Sequence, residues 1–378
     1  MIPLSKPLIG EKEKANVLSV LESGMLAQGP RVKELEQVFA KLCGVARAVA
    51  VNSGTAAIHG ALYAAGIGPA DEVITTPFTF VATANPVLMQ GATVVFCDIK
   101  EDTLNIDPER VSERITSKTK AIIAVDLYGH PADYKELRSI ADKHNLILIE
   151  DACQAANAEY YGRKAGSLAD IAVFSFYATK NIMCGEGGMI TTNNEKFAIR
   201  ARSFRHHCRD SVNYDYVDLG YNYRMTDIAA AIALAQLERL GEFTEKRISN
   251  AKKFNEAFDS VGGIVTPLIM PNVKHVFHQY TIRVSASKRD DLKKYLLDNE
   301  VDCAVFYPKP LHLYPHFASF GYKQGDFPVA ERASKEVLSL PVHPALSESD
   351  IQSVIKIVKH GMAFIEQINT FENGKVNS

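Results

Sequence analysis

The segment DIAVFSFYATKNIMCGEGG, residues 170–188, joins an apolar run to a glycine-rich loop and carries a single lysine, Lys180, between them. The β-branched and aromatic residues at its start predict a buried strand, and its three closing glycines predict a loop. A lysine near core elements is unusual because burying an ammonium group is costly. If it is partly desolvated there, its amine loses proton affinity and becomes a usable nucleophile. Lys180 is therefore either a reactive amine or a lysine that extends to solvent from the end of a strand.

Similar apolar runs precede this segment and alternate with amphipathic stretches such as ADYKELRSIADKHN (132–145). The predicted strands are ARAVAV (46–51), DEVITT (71–76), ATVVFCD (92–98), KAIIAVD (120–126) and LILIED (146–151). Nearly continuous apolar strands that alternate with helices predict an α/β fold with a mostly parallel central sheet, covered by helices on both faces.

The texture of the sequence changes after about residue 245, where charged helical sequence leads into a region with fewer strand signals. HQYTIRV (278–284) and VDCAVFY (301–307) are the strands predicted there, and a long helix follows them. We therefore predict a large α/β domain over residues 1–245 and a smaller C-terminal α+β domain over residues 246–378.

Polar residues stand at the carboxyl ends of the predicted strands, which is where parallel sheets bind their ligands. Asn52–Thr55, Asp98, Asp126 and Asp151 all fall at these ends, and Lys180 follows another one closely. The sequence therefore predicts a ligand site at this edge of the sheet.

Composition excludes several other classes of protein. The 378 residues have a formal net charge of −2 without a run of lysine and arginine, so we expect no nucleic-acid partner. The longest apolar stretch, IAAAIALAQL from Ile228, is too short to span a bilayer, and the N-terminus lacks the pattern of a secretory signal. Six cysteines without CxxC spacing indicate reduced thiols in the cytoplasm. The adjacent residues His206, His207 and Cys208 lack a second ligand pair, so no metal site is expected.

Four features at the predicted sheet edge suggest one cofactor. Ser-Gly-Thr at 53–55 opens a helix and suits a phosphate, although it is also an ordinary helix start. Asp151 ends a strand and Gln154 follows it closely, although an aspartate there could simply cap the next segment. With Lys180, these residues suit pyridoxal phosphate, whose aldehyde needs a lysine and whose ring nitrogen needs an acidic partner.

The chain resembles the DegT/DnrJ/EryC1 family of sugar aminotransferases, which has the aspartate-aminotransferase fold (fold type I of the pyridoxal-phosphate enzymes). The resemblance covers nearly the whole length, in the family's order. It is carried by QGPRVKELE (28–36), VNSGTAA (51–57), GPADEVITTPFTFVATAN (68–85), IEDACQA (149–155), FSFYATKN (174–181), GEGGM (185–189), GYNYRMTD (220–227) and LSLPVHPALS (338–347).

The resemblance implies roles for individual residues. Lys180 would form the Schiff base with the cofactor and then carry a proton between cofactor and substrate. Asp151 would pair with the pyridine nitrogen and Gln154 with the phenolic oxygen, while Phe80 would stack on the ring. The implied phosphate-binding residues are Gly54, Thr55, Ala56, Ser175 and, from the neighbouring subunit, Asn222.

A homodimer with shared active sites is therefore expected. The proposed substrate contacts are Arg224, for the carboxylate of the amino donor, and Tyr307, His312 and the loop around His206, for the sugar or its phosphates. Asn157 and Tyr177 depart from the residues expected in the family, which affects the sugar pocket and leaves the core chemistry intact.

The function implied is transfer of an amino group from L-glutamate to a keto sugar of a nucleotide-sugar. Gly185-Glu186-Gly187-Gly188 favours a 4-keto-6-deoxyhexose, because C-3 enzymes more often carry GDGG. Within the family, the alternative is amination of a keto-cyclitol with glutamine as donor. Dehydratase relatives, which replace the lysine by histidine, are disfavoured by Lys180.

Two alternatives lie outside this enzyme class. A regulatory or sensory protein without catalysis is disfavoured because the sequence has neither a helix-turn-helix-like appendage nor a basic face. A dinucleotide-dependent oxidoreductase would need G-x-G-x-x-G after the first strand, where this chain has Asn52-Ser53-Gly54-Thr55.

Overall fold

The computed structural model of the protein describes residues 1–210 and 214–376, with side chains described as far as residue 367. Its strands are β1 (Arg47–Val51), β2 (Glu72–Thr75), β3 (Thr93–Phe96), β4 (Thr119–Val125), β5 (Ile147–Asp151), β6 (Glu159–Tyr160), β7 (Arg163–Lys164), β8 (Ile171–Ser175), β9 (Gly188–Thr192), β10 (Ile264–Val265), β11 (Val273–Lys274), β12 (Tyr280–Val284) and β13 (Val337–Leu340).

The helices lie between and after these strands. They are α1 (Glu11–Ser23), α2 (Pro30–Cys43), α3 (Gly54–Ala65), α4 (Asn85–Met89), α5 (Pro108–Arg114), α6 (Tyr134–His144), α7 (Glu195–Phe204), α8 (Asp227–Phe258), α9 (Ala286–Asp298), α10 (Pro315–Ala318), α11 (Pro328–Glu336) and α12 (Glu348–Val376), with short 3₁₀ turns at Val81–Thr83, Leu127–Gly129 and Leu311–Leu313.

A central sheet of seven described strands has the order β1-β9-β8-β5-β4-β2-β3. The run from β3 to β8 is parallel throughout, whereas β9 pairs antiparallel with both β8 and β1. The prediction of a mostly parallel α/β sheet is therefore confirmed. The sequence does not predict strand β9, because β9 follows the glycine-rich loop directly and is defined by its pairing with β8 and with the distant β1.

Alternate residues of the central strands pack into different cores, as expected for a sheet covered on both faces. In β4, Ile123 packs with the core that contains α3, and Ile122 packs with the core that contains Leu137 of α6. Each predicted apolar strand is buried for this reason.

Side chains from the C-terminal part of the chain form a separate hydrophobic core. Its residues come from the second half of α8, from β12, β13, α9 and α12. The predicted domain boundary at residue 245 falls inside α8, whose first half packs with α2 and whose second half packs in this core. The division into domains 1–245 and 246–378 stays a prediction.

Two segments cross that predicted boundary in space. Ile2 packs against the C-terminal core and forms a bridge with Val301, while Phe317 and Phe327 pack into the core of the large sheet. The strand predicted over 301–307 is wrong, because in this stretch only Val301 and Ala304 form bridges and both are isolated.

Across residues 1–210 and 214–376, each helix is too short or too polar to cross a lipid bilayer.

Candidate active site

Three chain segments meet at the carboxyl edge of the sheet: the end of β5, the end of β8 and the start of α3. Gly54, the first residue of α3, is buried between the other two. A Cβ atom at this position would lie 2.9 Å from Cβ of Ser175 and 3.2 Å from Sγ of Cys153. Glycine at position 54 therefore permits the close approach that brings the predicted site residues together.

A second glycine brings the loop after Lys180 against the same place. A Cβ atom on Gly188 would lie 2.3 Å from the carbonyl oxygen of Ser53, a distance that atoms do not reach without a clash. Phe176 donates its N–H to the carbonyl of Gly187 at 2.8 Å, which closes the loop that contains Lys180. The glycines of the GEGG motif thus seat this loop beside the start of α3.

The start of α3 has the properties of an anion cradle. Ser53 caps the helix, and its Oγ accepts the N–H of Ala56 at 3.1 Å. Thr55 is exposed in the first turn and Ser175 is half-buried beside Gly54. The first turn is uncharged, so its N–H groups and the positive end of the helix dipole favour a phosphate here.

Asp151 is the last residue of β5 and is only 4% exposed. Its Oδ2 accepts a hydrogen bond from Thr83 Oγ1 at 2.7 Å, and its Oδ1 accepts one from the N–H of Cys153 at 3.2 Å. These two donors hold the carboxylate rigidly at the edge of the sheet. Its position suits a partner for a protonated ring nitrogen.

Two further carboxyl groups, Asp126 and Glu150, are fully buried next to Asp151. Backbone N–H groups of Gly166 and Leu168 donate to the two oxygens of Glu150 at 2.8 and 3.0 Å. On Asp126, Oδ1 accepts hydrogen bonds from the N–H of Ala132 and the hydroxyl of Tyr134, whereas no donor among the described residues reaches Oδ2.

The acid pair of Asp126 and Glu150 holds protons more tightly than isolated carboxyl groups. Burial raises the pKa of Asp126 well above its usual range, and the nearby negative charge of Glu150 raises it further. Burial also raises the pKa of Glu150. The sequence identifies Asp126 only as a strand-end residue and gives no signal that distinguishes Glu150.

Gln154 is buried and connects the loop after β5 to two aromatic residues. Its Oε1 accepts the N–H of Tyr128 at 2.8 Å, and its Nε2 lies 3.4 Å from the hydroxyl of Tyr307. Burial raises the pKa of Tyr307, and the negative charge of Asp151 raises it further. The ring of Phe80, 56% exposed, lies 6.3 Å from that of Tyr307 between centroids. Gln154, Tyr307 and Phe80 therefore border the same cleft.

Lys180 lies in the loop after β8, partly accessible and close to Asp151 and Cys153. Burial lowers the pKa of its ammonium group, while the charges of Cys153 and Asp151 oppose that shift. The reactive-amine interpretation fits this position better than a lysine that extends freely to solvent.

The segment with Asn222 and Arg224 lies near the start of α3. Asn52 donates its N–H to the carbonyl of Tyr223 at 2.9 Å, and Asn222 itself is exposed. Arg224 Nη1 lies 2.8 Å from Nδ1 of His206. Burial lowers the pKa of His206, and the positive charge of Arg224 lowers it further.

The position of His312 does not fit a substrate contact. Its side chain is 0% exposed, its Nε2 lies 3.1 Å from Oε1 of Glu331, and its ring packs edge-on against Phe327. His312 is therefore part of the protein interior, where its contacts with Glu331 and Phe327 argue against the predicted role in substrate binding.

Comparison with known proteins places these observations in a family. Residues 7–359 match the model of the DegT/DnrJ/EryC1/StrS aminotransferase family. A protein of Geobacillus stearothermophilus described as pleiotropic regulatory protein is 44% identical (92% of this chain, 94% of the relative). GDP-perosamine synthase of Caulobacter vibrioides is 40% identical (94% and 96%), and dTDP-3-amino-3,4,6-trideoxy-alpha-D-glucose transaminase of Streptomyces venezuelae is 36% identical (93% and 93%).

Solved structures agree with this assignment. DesV of S. venezuelae, solved in complex with a ketimine intermediate, superposes with a TM-score of 0.90 at 36% identity (93% of this chain, 94% of DesV). The sugar aminotransferase Spr1654 of Streptococcus pneumoniae in its PMP form has a TM-score of 0.93 at 29% identity (98% and 99%).

These residues suit the cofactor found in the solved relatives, because an uncharged helix start, a held carboxylate and a partly desolvated lysine come together at the carboxyl edge of the sheet. The chain belongs to the DegT/DnrJ/EryC1/StrS aminotransferase family, it has the fold of the type I pyridoxal-phosphate enzymes, and its cofactor is pyridoxal phosphate.

Proposed function

We propose that this protein is a cytoplasmic aminotransferase that moves an amino group from L-glutamate to the keto sugar of a nucleotide-sugar, with a 4-keto-6-deoxyhexose as the acceptor. The observation that carries this proposal is the position of Lys180, a partly desolvated amine beside Asp151, in the loop whose Gly188 packs against Ser53 at the start of α3. An aminotransferase needs these three elements within reach of one cofactor.

When bound, pyridoxal phosphate supplies an aldehyde that carries the amino group and a ring that accepts electrons. Lys180 is proposed to hold the cofactor through its amine and to move the proton at the substrate carbon. Asp151, held by Thr83, is proposed to keep the ring nitrogen protonated. Gln154 is proposed to orient the phenolic oxygen, and Phe80 to cover one face of the ring.

The phosphate of the cofactor is proposed to bind at the start of α3, to Gly54, Thr55, Ala56 and Ser175. The N–H of Ala56 already donates to Ser53 Oγ, so the exposed hydroxyl of Thr55 and the half-buried hydroxyl of Ser175 are the better-placed donors in this structure. Arg224 and Tyr307 remain the proposed substrate contacts.

A homodimer with shared active sites is also proposed, with Asn222 reaching the partner's cofactor phosphate. Large apolar side chains over residues 214–219 support it, because they are exposed on this chain. Tyr214, Tyr216, Val217 and Leu219 are each more than 60% exposed. Clusters of exposed apolar residues of this kind are typical of interfaces. Sedimentation at assay concentration tests this point, and a fully active monomer contradicts it.

The relatives support a nucleotide-sugar acceptor without fixing the position of the new amine. One relative is named a GDP-perosamine synthase, and another is named for a 3-amino sugar. The choice of C-4 depends on Glu186 in the GEGG loop. We therefore test position directly, by supplying 3-keto and 4-keto nucleotide-sugars separately with L-glutamate and locating the new amine by NMR.

The same assay separates the alternatives. Amination at C-3 alone contradicts the proposed acceptor and leaves the aminotransferase intact. Turnover of a keto-cyclitol with glutamine, and not of nucleotide-sugars, supports the cyclitol alternative. Absence of turnover with every acceptor, in protein whose visible absorption band is removed by borohydride, supports a regulatory role, which is the description given to the G. stearothermophilus relative.

A further inference from the structure

Asn105 carries a buried amide that the proposed reaction does not use. It lies in the loop between β3 and α5 and is 3% exposed. Its Oδ1 accepts the N–H of Leu127 at 3.0 Å. Its Nδ2 donates to the carbonyls of His130 and Pro131 at 2.9 and 3.2 Å. Because a backbone N–H only donates and a carbonyl only accepts, the orientation of the Asn105 amide is fixed.

The segment between these contacts is the turn Leu127–Gly129, whose backbone is unusual. Tyr128 has a φ of 59° and Gly129 has a φ of 99°. A residue with a side chain rarely adopts the left-handed region, so the turn depends on contacts from outside it. A Cβ atom at Gly129 would lie 3.0 Å from the carbonyl oxygen of Gln154. The turn therefore packs directly against Gln154, and Asn105 holds the turn at both ends.

The turn sets the orientation of the Gln154 side chain. The N–H of Tyr128 donates to Oε1 of Gln154 at 2.8 Å. Because a backbone N–H can only donate, the oxygen of the Gln154 amide must face Tyr128 and its Nε2 must face away. Nε2 lies 3.4 Å from the hydroxyl of Tyr307, whose ring lies beside that of Phe80. Gln154 therefore presents N–H groups to the cleft in which the cofactor is proposed to bind.

The side chain of Tyr128 connects the same turn to another wall of the cleft. Its hydroxyl donates to the carbonyl of Phe306, the residue before Tyr307. Its own carbonyl accepts the N–H of Gln279 at 3.3 Å. A displacement of the turn would therefore move Gln154 directly and would disturb the segment that contains Tyr307.

A hydrogen-bond donor at the position of Gln154 has a defined effect on pyridoxal phosphate. When this cofactor is joined to a lysine amine, one proton is shared between the amine nitrogen and the phenolic oxygen. A hydrogen bond to the charged form of a group favours that form. A donor toward the phenolic oxygen therefore stabilises its negative charge, and the shared proton is lost at a lower pH.

We propose that Asn105 is a positioning residue for the amino-group transfer: by holding the turn Leu127–Gly129, it keeps Gln154 oriented as a hydrogen-bond donor toward the phenolic oxygen of the cofactor. This inference rests on the proposed function, in which Gln154 binds that oxygen. Asn105 acts through the turn and not through contact with the cofactor, since backbone groups occupy both ends of its amide.

The ionisable groups around Gln154 and the turn include Tyr128, His130, Asp151, Cys153, Lys180 and Tyr307. Burial raises the pKa values of Tyr128, Tyr307 and Cys153, so these groups stay protonated near neutral pH. Burial lowers the pKa of His130, so its ring stays neutral. A titration near neutral pH that changes the colour of the bound cofactor is therefore assigned to the cofactor joined to Lys180.

The test measures the pH at which the visible absorption band of the cofactor-loaded protein changes. Gln154→Leu is expected to raise this apparent pKa by about 1 unit or more, because a hydrogen bond to a charged oxygen is lost. Asn105→Ala is expected to raise it by about 0.5–1 unit. Asn105→Ser, a milder change should Asn105→Ala not fold, is expected to shift it in the same direction by less.

The double variant decides whether Asn105 acts through Gln154. In the Gln154→Leu background, Asn105→Ala should add no further shift in the apparent pKa. An equal shift with and without Gln154 overturns the proposal, because Asn105 would then act by another route. The absence of a shift in folded Asn105→Ala and Asn105→Ser also overturns it.

A second measurement follows the turn itself, by hydrogen exchange and mass spectrometry of the cofactor-loaded protein. The peptide that contains residues 127–131 should exchange at least about 10-fold faster in Asn105→Ala than in wild type. Unchanged exchange and an unchanged apparent pKa, with normal amination of a nucleotide-sugar, would leave the proposed function intact and overturn the role of Asn105. Faster exchange and a raised apparent pKa in protein that aminates no nucleotide-sugar would support the role of Asn105 and contradict the proposed acceptor.

Asn250→Ala is the matched control. Asn250 lies in α8 and is 0% exposed, and its Nδ2 donates to the consecutive carbonyls of Val342 and His343 at 3.4 and 3.2 Å. This variant loses a similar buried amide, so it is also expected to lower the Tm. It should leave the apparent pKa and the exchange of residues 127–131 unchanged. An equal pKa shift in Asn250→Ala and Asn105→Ala would indicate a general loosening of the fold and would overturn the proposal.

Discussion

Two groups of charged side chains near the site, three acids and two cations, differ in how the backbone satisfies them. The acids Asp126, Glu150 and Asp151 receive hydrogen bonds from backbone N–H groups and hydroxyls that the ends of neighbouring elements supply. The cations Lys180, in the loop after β8, and Arg247, in α8, line one water-sized cavity.

The difference follows from what each part of the backbone offers. Strand ends and helix starts present unpaired N–H groups, which satisfy carboxylates, whereas a buried cation depends on carbonyls that helices and sheets have already used. Both oxygens of Glu150 and of Asp151 are held by donors, whereas Arg247 Nε has no partner among the described residues. The acid group therefore has the character of a support, and the basic group that of a binding site.

The largest expected effect comes from the basic group. Lys180→Ala should lower the amination rate by at least about 10⁴-fold, because it removes both the attachment amine and the proton carrier. Amine formation on the nucleotide-sugar is the measurement. Lys196→Ala, at an exposed position in α7, is the control and should keep wild-type activity. Ordinary turnover by Lys180→Ala would remove the basis for every other assigned role.

The next effect tests the acid group as a support. Glu150→Ala leaves the N–H groups of Gly166 and Leu168 buried without acceptors, which should reduce the free energy of unfolding by about 3–5 kcal/mol. Glu150→Gln retains one acceptor oxygen and should cost about 1–3 kcal/mol. Urea unfolding measures both. Equal stability of the two variants would mean that these hydrogen bonds are not what holds the acid group.

A smaller loss of stability is expected from a change in the packing around Cys153, which lies near both Asp151 and Lys180. Cys153 lies between them, since its pKa is raised first by burial and then by Asp151, while Lys180 opposes the rise. Gly54→Ala places a methyl group against Cys153 and Ser175, and should destabilise the protein by about 1–3 kcal/mol.

Gly241→Ala is the matched control for that contact. A Cβ at Gly241, inside α8, meets no described atom within 4 Å, so the change should stabilise the protein by about 0.5–1 kcal/mol. Thermal melting compares the two substitutions. Changes of the same sign and size would show that the close approach at Gly54 is not required.

The smallest effect is a pH dependence of stability from Asp126 and Glu150. Both pKa values are raised in the folded protein, so the folded state binds more protons than the unfolded chain. Their contribution to stability is therefore present at low pH and is lost as pH rises above the unfolded values near 4. The charged and titratable groups that face the pair are Asp151, Tyr134 and Arg163.

Asp126→Asn tests this dependence, because the amide has nearly the shape of the carboxyl group and has no proton to lose in this pH range. The fall in unfolding free energy between pH 5 and pH 8 should be about 1 kcal/mol smaller in the variant. If the unfolding free energy of Asp126→Asn falls with pH as much as that of wild type, groups other than Asp126 cause the pH dependence.

Much of the fold was predictable because its strands are short apolar runs bounded by charged or turn residues. β1, β4 and β5 lie within one residue of their predicted limits for this reason. The proximity of Asp151 and Lys180 was predictable because the carboxyl ends of neighbouring parallel strands lie at the same edge of a sheet. These features depend on local sequence and on one rule of topology.

What escaped prediction depends on contacts between distant residues. β9 becomes a strand by pairing with β1 and β8, and His312 is buried because Glu331 and Phe327 fold over it. The cavity beside Lys180 exists because the N-terminal segment and α8 meet there; Lys6 and Arg247, which both line it, are 241 positions apart (247 − 6). The periodicity of a single segment does not predict a contact with a segment so distant in the sequence.

The N-terminal segment can dock onto the protein only late in synthesis, because its partners lie near the C-terminal end of the chain. Leu4 donates its N–H to Asp302, 298 positions later, and Pro3 accepts from His343, 340 positions later. At roughly 5–20 residues per second, a ribosome needs about 15–60 s to make that intervening chain. For this time the first residues have no docking partner, so one wall beside Lys180 is added only after almost the whole chain has been translated.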